Sequence, residues 1–250
     1  NPEIDPDRYD VGFVFPGRMT DGGVLSALLE VPWINDREAV LRSRNKAETL
    51  LRLERAGLPV PKTLLVSNPT EEDVVSAAFD RLDQPVVLKP TTTTRGTGVL
   101  KARDPDSLRG ALDYVDLIHD FPATGDRSYL LQEYLPDARD FRVMVLDGEY
   151  VGAVERSFPD TERTAGRWKR NVHRGAVAES VLPAPRIREL AREAAAELDV
   201  PFLGVDVLST GDRTVIAETN ARPTIDDPAK YVDEFVDELA ELIEKTASRG

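Results

Sequence analysis

From Val86 onward, apolar residues over several stretches either alternate with polar ones or run unbroken for a few positions. Val86–Lys89, Val99–Ala102, Tyr129–Tyr134, Phe141–Leu146, Tyr150–Glu155, Leu203–Leu208 and Thr214–Glu218 all follow this pattern, which predicts β-strands. Asp147-Gly148 is a hairpin turn signal between two of them. Apolar residues take helical spacing instead at about 106–118, 184–198 and 227–245, the last through Phe235, Leu239, Leu242 and Ile243. Strands mixed with segregated helices predict an α+β fold, not a doubly wound sheet.

The first third reads as α/β. Val11–Phe15, an apolar helix over Val24–Leu29 and the stretch Val31–Ile34 predict a small β-α-β unit. Asn35 or Asp36 caps an interrupted helix that runs to Ala56 and stops at Gly57-Leu-Pro-Val-Pro61. A strand at Thr63–Val66 follows, and Thr70 with Asp73 resembles a capping box for the next helix.

Composition narrows the classes. A chain of 250 residues can bury a substantial core as one large or two small domains. No apolar run approaches a membrane span and no charged-then-apolar leader opens the chain, so a cytoplasmic protein without a membrane partner is expected. Zero Cys excludes disulfides and thiolate chemistry, and with only His119 and His173 a zinc site would need mostly carboxylates. A net charge of −13 argues against nucleic acid as the main partner. The basic set is seven Lys against twenty-five Arg. An acidic, lysine-poor surface suits a salt-adapted organism such as a halophilic archaeon; an ordinary acidic cytosolic protein is the alternative. The chain opens at Asn1 without Met, and a truncated, disordered or processed N-terminus is expected from its polar first residues.

Three hard oxygen ligands fall together near the C-terminal end. If Leu203–Leu208 and Val215–Asn220 form a hairpin with Gly211-Asp212-Arg213 at its tip, Asp206 faces Glu218 and alternation puts Asn220 on the same face. Two carboxylates and an amide suit Mg²⁺ completed by substrate phosphates; a hairpin with a polar solvent face is the plain alternative.

Upstream, Lys89-Pro-Thr-Thr-Thr-Thr-Arg-Gly-Thr-Gly98 lies between two strands. Gly96 and Gly98 permit close backbone approach, and with Thr94 and its neighbours the loop can fold over a polyphosphate, although the order is not that of a P-loop. Lys89 sits in an apolar strand, so it needs either a structural salt bridge or a bound anion. Gln132, Glu133, Tyr134 and Leu135 leave their strand at Pro136, where backbone groups can meet an adenine edge. Asp140 and Arg142 share a strand face, as a solvated ion pair or as part of a site. Arg156, Arg163, Arg167, Lys169, Arg170 and Arg174, with Trp168, Asn171 and His173 between them, form a basic stretch able to clamp phosphates and a carboxylate substrate.

In order, Asn45-Lys46, Val87-Leu-Lys-Pro90, the Thr/Gly loop, Gln132–Leu135, Asp140-Phe-Arg142, Trp168–Gly175, Gly204-Val-Asp206 and Glu218-Thr-Asn220 resemble the ATP-grasp superfamily, in particular its RimK-type ligases. The resemblance implies an ATP-grasp fold of two α+β lobes, 36–135 and 136–250, after a remnant of a pre-ATP-grasp α/β unit at 1–35. ATP would lie between the lobes, with Lys46 and Lys89 on its phosphates, the 91–98 loop over them and Asp140 near ribose. Lys169, Arg170 and Asn171 match a nucleotide-binding and catalytic stretch, and Arg174 would face the transferred phosphoryl group. Asp206, Glu218 and Asn220 would hold Mg²⁺ or Mn²⁺.

The implied reaction joins a carboxylate to an amine on small-molecule or peptide substrates through an acylphosphate. Phosphoryl transfer alone and a non-catalytic nucleotide-binding module are the rivals, and a homo-oligomer is left open. The chain departs from the family where the metal motif continues Asn220-Ala-Arg-Pro-Thr-Ile225. Arg222 either binds a substrate carboxylate, as on glutamate or another acidic amino acid, or pairs with Asp226 or Asp227.

Overall fold

The computed structural model describes residues 4–16, 18–67, 70–91, 97–119, 128–158, 168 and 175–249. Its strands form two antiparallel sheets. The four-stranded sheet has the order β1-β4-β2-β3, from β1 (Thr63–Val66), β2 (Val86–Pro90), β3 (Leu100–Ala102) and β4 (Tyr129–Glu133). Alternation along β2 explains its position: Val86 and Leu88 join Phe79, Leu108 and Leu131 in one core, while Val87 and Lys89 point the other way. That core lies beneath α4 (Glu72–Phe79) and α5 (Pro105–His119).

The five-stranded sheet has the order β7-β6-β5-β8-β9, from β5 (Arg139–Leu146), β6 (Glu149–Ser157), β7 (Val177–Ser180), β8 (Phe202–Ser209) and β9 (Thr214–Asn220). Phe141, Val143 and Val145 of β5 and Leu203, Val205 and Val207 of β8 face a core completed by Leu190, Ala191, Ala194 and Leu198 of α6 (Pro185–Leu198). The intervening residues face the other side, which is divided along its length. At one end Met144, Leu146 and Phe202 pack with Phe235 and Leu242 of α7 (Phe235–Ala247). At the other end the same face carries Asp140, Arg142 and Asp206, and here Asp140 and Asp206 look into a cleft.

The remaining helices are α1 (Met19–Leu29), α2 (Arg37–Arg44) and α3 (Lys46–Arg55). Asp36 caps α2 by accepting from Ala39 N at 2.8 Å, and Asn45 caps α3 by accepting from Glu48 N at 3.3 Å. Gly57, at φ 82°, ends α3 in the left-handed conformation that glycine adopts without strain. Both α2 and α3 pack on β9 and α6, and Ala39, Val40 and Leu53 join the five-stranded core. Packing therefore puts residues 36–56 with the five-stranded sheet and starts the other lobe near Pro61, unlike the sequence division at 36 and 135.

Two local expectations are corrected, and one strand is added. The N-terminal β-α-β unit reduces to one parallel bridge, Gly12 to Trp33, because Pro32 has no N–H to extend the ladder on one side and Asn35, at φ 52°, leaves the extended conformation on the other. Phe15 and Ile34 from this segment are nevertheless buried in the cores of the larger lobe. Thr70 does not cap α4; its hydroxyl donates to Ser67 O, and the cap position is Glu71. The edge strand β7, of sequence VAES and with no buried residue, carries no alternation and was not expected.

Gly152 in β6 has φ 155° and bridges to Tyr231, and a Cβ there would lie 2.1 Å from Lys230 O. The obstacle is backbone and cannot rotate away. Gly152→Ala is expected to cost about 2–4 kcal/mol and lower the thermal midpoint by roughly 5–15 °C, read by circular dichroism. An unchanged midpoint would refute the close approach.

Candidate active site

Between the two sheets lies a cleft of about 1000 Å³, open to solvent. Val87, Lys89 and Gln132 line it from one sheet, Asp140, Arg156, Asp206, Leu208 and Glu218 from the other. Lys46, Val99, Glu133, Tyr134, Leu135, Ala138, Trp168 and Ala217 complete the wall. Of the charged members, Asp140, Arg156, Asp206 and Glu218 stand on the five-stranded sheet, while Lys46, Lys89 and Glu133 face them from α3 and the four-stranded sheet.

The pairing of Asp206 with Glu218 is present, by a different route from the one expected. The hairpin tip holds four residues, with Ser209 opposite Thr214, and a bulge at Ala217 then shifts the register by one. The two departures cancel, and both carboxylates reach the cleft.

Asp206 is buried and clamped. Arg142 donates from Nε to Oδ1 at 2.7 Å and from Nη2 to Oδ2 at 2.8 Å, while Arg156 Nη2 lies 3.1 Å from Oδ2. Arg156 also donates to Asp140 Oδ1 at 2.6 Å. Burial alone would raise the Asp206 pKa, but the fields and hydrogen bonds of Arg142 and Arg156 outweigh it and hold the carboxyl at about 2. Asp140 and Arg142 are thus not partners of each other; each pairs across the sheet. Arg142 was not assigned a role from sequence, because its partner lies 64 positions away on another strand.

The other wall carboxylates also have basic partners. Lys46 Nζ is 3.3 Å from Glu218 Oε1. Glu133 accepts from Arg213 Nη1 at 3.0 Å and Nη2 at 2.8 Å, and from Lys62 N at 2.8 Å, so its side chain is held to the β8–β9 hairpin tip. Lys89 differs. Among the described residues its Nζ donates to the neutral amide oxygen of Gln132, at 2.6 Å, and enters no ion pair. Gln132 is fixed in turn by donating to Thr63 Oγ1 at 2.8 Å. Burial pushes the Lys89 pKa down, partly opposed by Glu218. A structural salt bridge is therefore not what holds this ammonium.

At the mouth, Lys101 Nζ lies 4.3 Å from the Tyr134 ring centre and 5.0 Å from that of Trp168, the two rings meeting edge to face. Gly98, at φ 71°, turns against Pro90, and the wall at this point is Val99. Asn220 is not part of the lining; its Oδ1 accepts from Arg222 N at 3.0 Å. The Arg222 side chain is exposed and forms no ion pair among the described residues. Asp226 pairs with Lys230 at 2.7 Å and Asp227 accepts from Ala229 N, so neither expected partner takes Arg222. Thr94, Gly96, Lys169, Arg170, Asn171 and Arg174 lie outside the described residues.

The oxygen donors fit a divalent cation of the magnesium type. A carboxylate has about four acceptor positions, and the described contacts leave one on Asp206, more on Glu218, and one on the Asn220 amide oxygen. All three are hard oxygen ligands. No described helix is long and apolar enough to cross a membrane.

Two antiparallel sheets with a polar cleft between them define an ATP-grasp fold, and solved structures agree. D-alanine–D-alanine ligase from Bacillus anthracis, complexed with ATP, superposes with a TM-score of 0.71 at 17% identity, covering 97% of this chain and 80% of that one. The ATP-grasp ligase PsnB, complexed with a minimal precursor, superposes with a TM-score of 0.64 at 17% identity over 93% of this chain and 78% of that one. Residues 43–244 match the RimK-like ATP-grasp domain, and the chain belongs to that family. A probable alpha-L-glutamate ligase of Enterobacter sp. (strain 638) is 30% identical over 87% of this chain and 69% of its own length. A ribosomal protein bS6–L-glutamate ligase of Salmonella paratyphi B is 31% identical over 77% of this chain, which spans 60% of that relative.

The low Asp206 pKa has a stability consequence. Its folded value lies below the unfolded value of about 3.9, so its contribution is complete above that pH and is lost as pH falls towards 2. Asp206→Asn is expected to be less stable than wild type at pH 7, because Arg142 and Arg156 lose their anion. In urea unfolding the gap should narrow by about 2 kcal/mol between roughly pH 5 and pH 2. A gap independent of pH would refute the clamped carboxylate.

Proposed function

We propose that this chain is an ATP- and Mg²⁺- or Mn²⁺-dependent ligase that joins a carboxylate to an amine, adding glutamate or another acidic amino acid to a small-molecule or peptide acceptor. The observation that carries this reading is Lys89: a half-buried ammonium facing the cleft, bonded to a neutral amide while the neighbouring carboxylates are paired. Such a cation favours a bound anion, and Lys46 and Arg156 lie on the same walls. The apolar groups Val87, Val99, Leu135 and Leu208, with Tyr134 and Trp168, suit a flat heteroaromatic ring beside that anion. A nucleoside polyphosphate has both parts.

In the proposed reaction a substrate carboxylate oxygen bonds to the γ-phosphorus of ATP as the bond to ADP breaks. The amine nitrogen then bonds to the acyl carbon, phosphate leaves with the former carboxylate oxygen, and the nitrogen gives up a proton. Asp206, Glu218 and Asn220 would hold the divalent cation, which when bound neutralises phosphate charge. Lys46 and Lys89 hold the phosphates, Glu133 and Leu135 backbone and Gln132 and Tyr134 frame the adenine end, and Asp140 lies towards ribose. Lys169, Arg170, Asn171 and Arg174 act on the phosphates, with Thr94, Gly96 and Gly98 in the covering loop; these roles rest on their motifs. Arg222 is assigned to a substrate carboxylate because the described acidic neighbours are taken by other partners, whereas Arg156, read from sequence for the same task, is held by Asp140 and Asp206 and fixes those two carboxylates instead. The relatives named glutamate ligases support the acidic amino acid, and a cytoplasmic location is proposed with it.

Lys89→Met keeps the apolar volume and removes the charge. It is expected to weaken ATP binding by at least about tenfold in calorimetry, since a charge-assisted contact of a few kcal/mol is lost. Undiminished affinity would defeat the reading of Lys89.

Glu218→Gln and Asp206→Asn should each lower turnover by at least about a hundredfold, measured as phosphate release with acid and amine panels at high salt. Wild-type turnover in either variant would sink the metal assignment. A stable phosphorylated product from the wild type, with no amide, would replace ligation by phosphoryl transfer.

A further inference from the structure

Asn35 is fully buried and has φ 52°, a left-handed conformation that asparagine tolerates better than most residues. The sequence marks it as a helix cap, but Asp36 takes that role and frees the Asn35 side chain. Its amide nitrogen donates to Phe202 O at 2.5 Å and to Ala221 O at 2.7 Å, and its oxygen accepts from Phe202 N at 2.9 Å. Both amide protons and the oxygen are therefore used.

The placement gives these bonds a specific consequence. The β8–β9 ladder ends at Gly204 opposite Asn220, leaving the buried Phe202 without a β9 residue beside it. The carboxamide of Asn35 supplies that missing N–H and C=O, as one more peptide group of β9 would. Its second N–H grips Ala221 O, and Ala221 O belongs to the same peptide plane as Arg222 N, which donates to Asn220 Oδ1 at 3.0 Å. One peptide is thus held at its oxygen by Asn35 and at its nitrogen by Asn220.

We infer that Asn35 is a positioning residue for the 220–222 turn: by holding the peptide to which the Asn220 amide is bonded it fixes that amide, whose oxygen keeps an acceptor position for the proposed divalent cation, and it sets the direction in which Arg222 leaves the chain. The inference rests on the proposed metal role of Asn220 and extends it to a residue 185 positions upstream, in a segment outside the matched family domain.

The test uses Asn35→Asp, which keeps the shape but loses both donors, and Asn35→Gly, which suits the backbone angle and loses all three bonds. Leu53→Ala, in the buried core, serves as a destabilised variant distant in sequence from the turn. Mn²⁺ binding in the presence of a non-hydrolysable ATP analogue is followed by electron paramagnetic resonance, and analogue affinity without metal by calorimetry. Both Asn35 variants should bind Mn²⁺ about tenfold more weakly with analogue affinity within about twofold of wild type, while Leu53→Ala keeps wild-type Mn²⁺ affinity. Wild-type Mn²⁺ affinity in folded Asn35 variants overturns the inference alone. Loss of the fold in both, by circular dichroism, also overturns it and makes Asn35 a folding residue. Absence of Mn²⁺ binding by the wild type overturns the metal reading and the inference with it.

Discussion

The alternating array Asp140–Arg156–Asp206–Arg142 fixes the geometry on which the cleft depends. Its members come from β5, β6 and β8, so the array forms only when those strands have the observed register. Buried ion pairs contribute little net stability, because desolvation offsets most of their attraction. Their directional effect is larger. Two guanidinium groups on one carboxylate fix its plane and leave a single acceptor position of Asp206 for anything else in the cleft.

The array is affordable where it is because one sheet face has two environments. Along β5 and β8 the residues on the cleft side are Met144, Leu146 and Phe202 where α7 covers them, and Asp140, Arg142 and Asp206 where it does not. Core and site share a face, divided by the reach of one helix. Links between the lobes then position the opposite wall: with Ile216 N to Pro59 O at 2.9 Å anchoring the segment that leads into β1, Glu133 is tied to Arg213 at the hairpin tip and Lys46 N to Thr91 O at 3.1 Å. The last joins the start of α3 to the residue that opens the Thr-rich loop, so Lys46 and Lys89 are set by neighbouring backbone.

Much of this was legible in the sequence. Alternation found the strands from β1 to β9 except β7, whose exposed edge has no apolar side to reveal it. Facing of Asp206 and Glu218 followed from counting across a symmetrical tip, although the real tip is longer and a bulge at Ala217 restores the pairing. Counting cannot detect two offsetting irregularities. Partnerships between distant strands were also invisible: Arg142 looked like a companion of Asp140 two positions away, and Asn35 looked like a cap for the helix beside it. In both cases long-range geometry displaced the local option that sequence spacing favours.

Charge gives the final constraint. The chain carries a net −13, yet Glu133, Asp140, Asp206 and Glu218 around the cleft meet Arg213, Arg156, Arg142 and Lys46, with Lys89 in addition. Against a repelling background, a recessed site whose carboxylates each meet a cation, and which keeps Lys89 outside any described ion pair, selects ligands that are anionic at one point and able to enter a narrow space. A long polyanion would meet the acidic surface first, whereas a compact phosphate chain attached to a flat ring would not. The use of Lys at 46 and 89, in a protein that otherwise prefers Arg, fits the same logic. In the proposed phosphate role a small ammonium on a flexible stem would follow oxygens as they move, while the planar Arg142 and Arg156 guanidinium groups hold carboxylates that have to stay still.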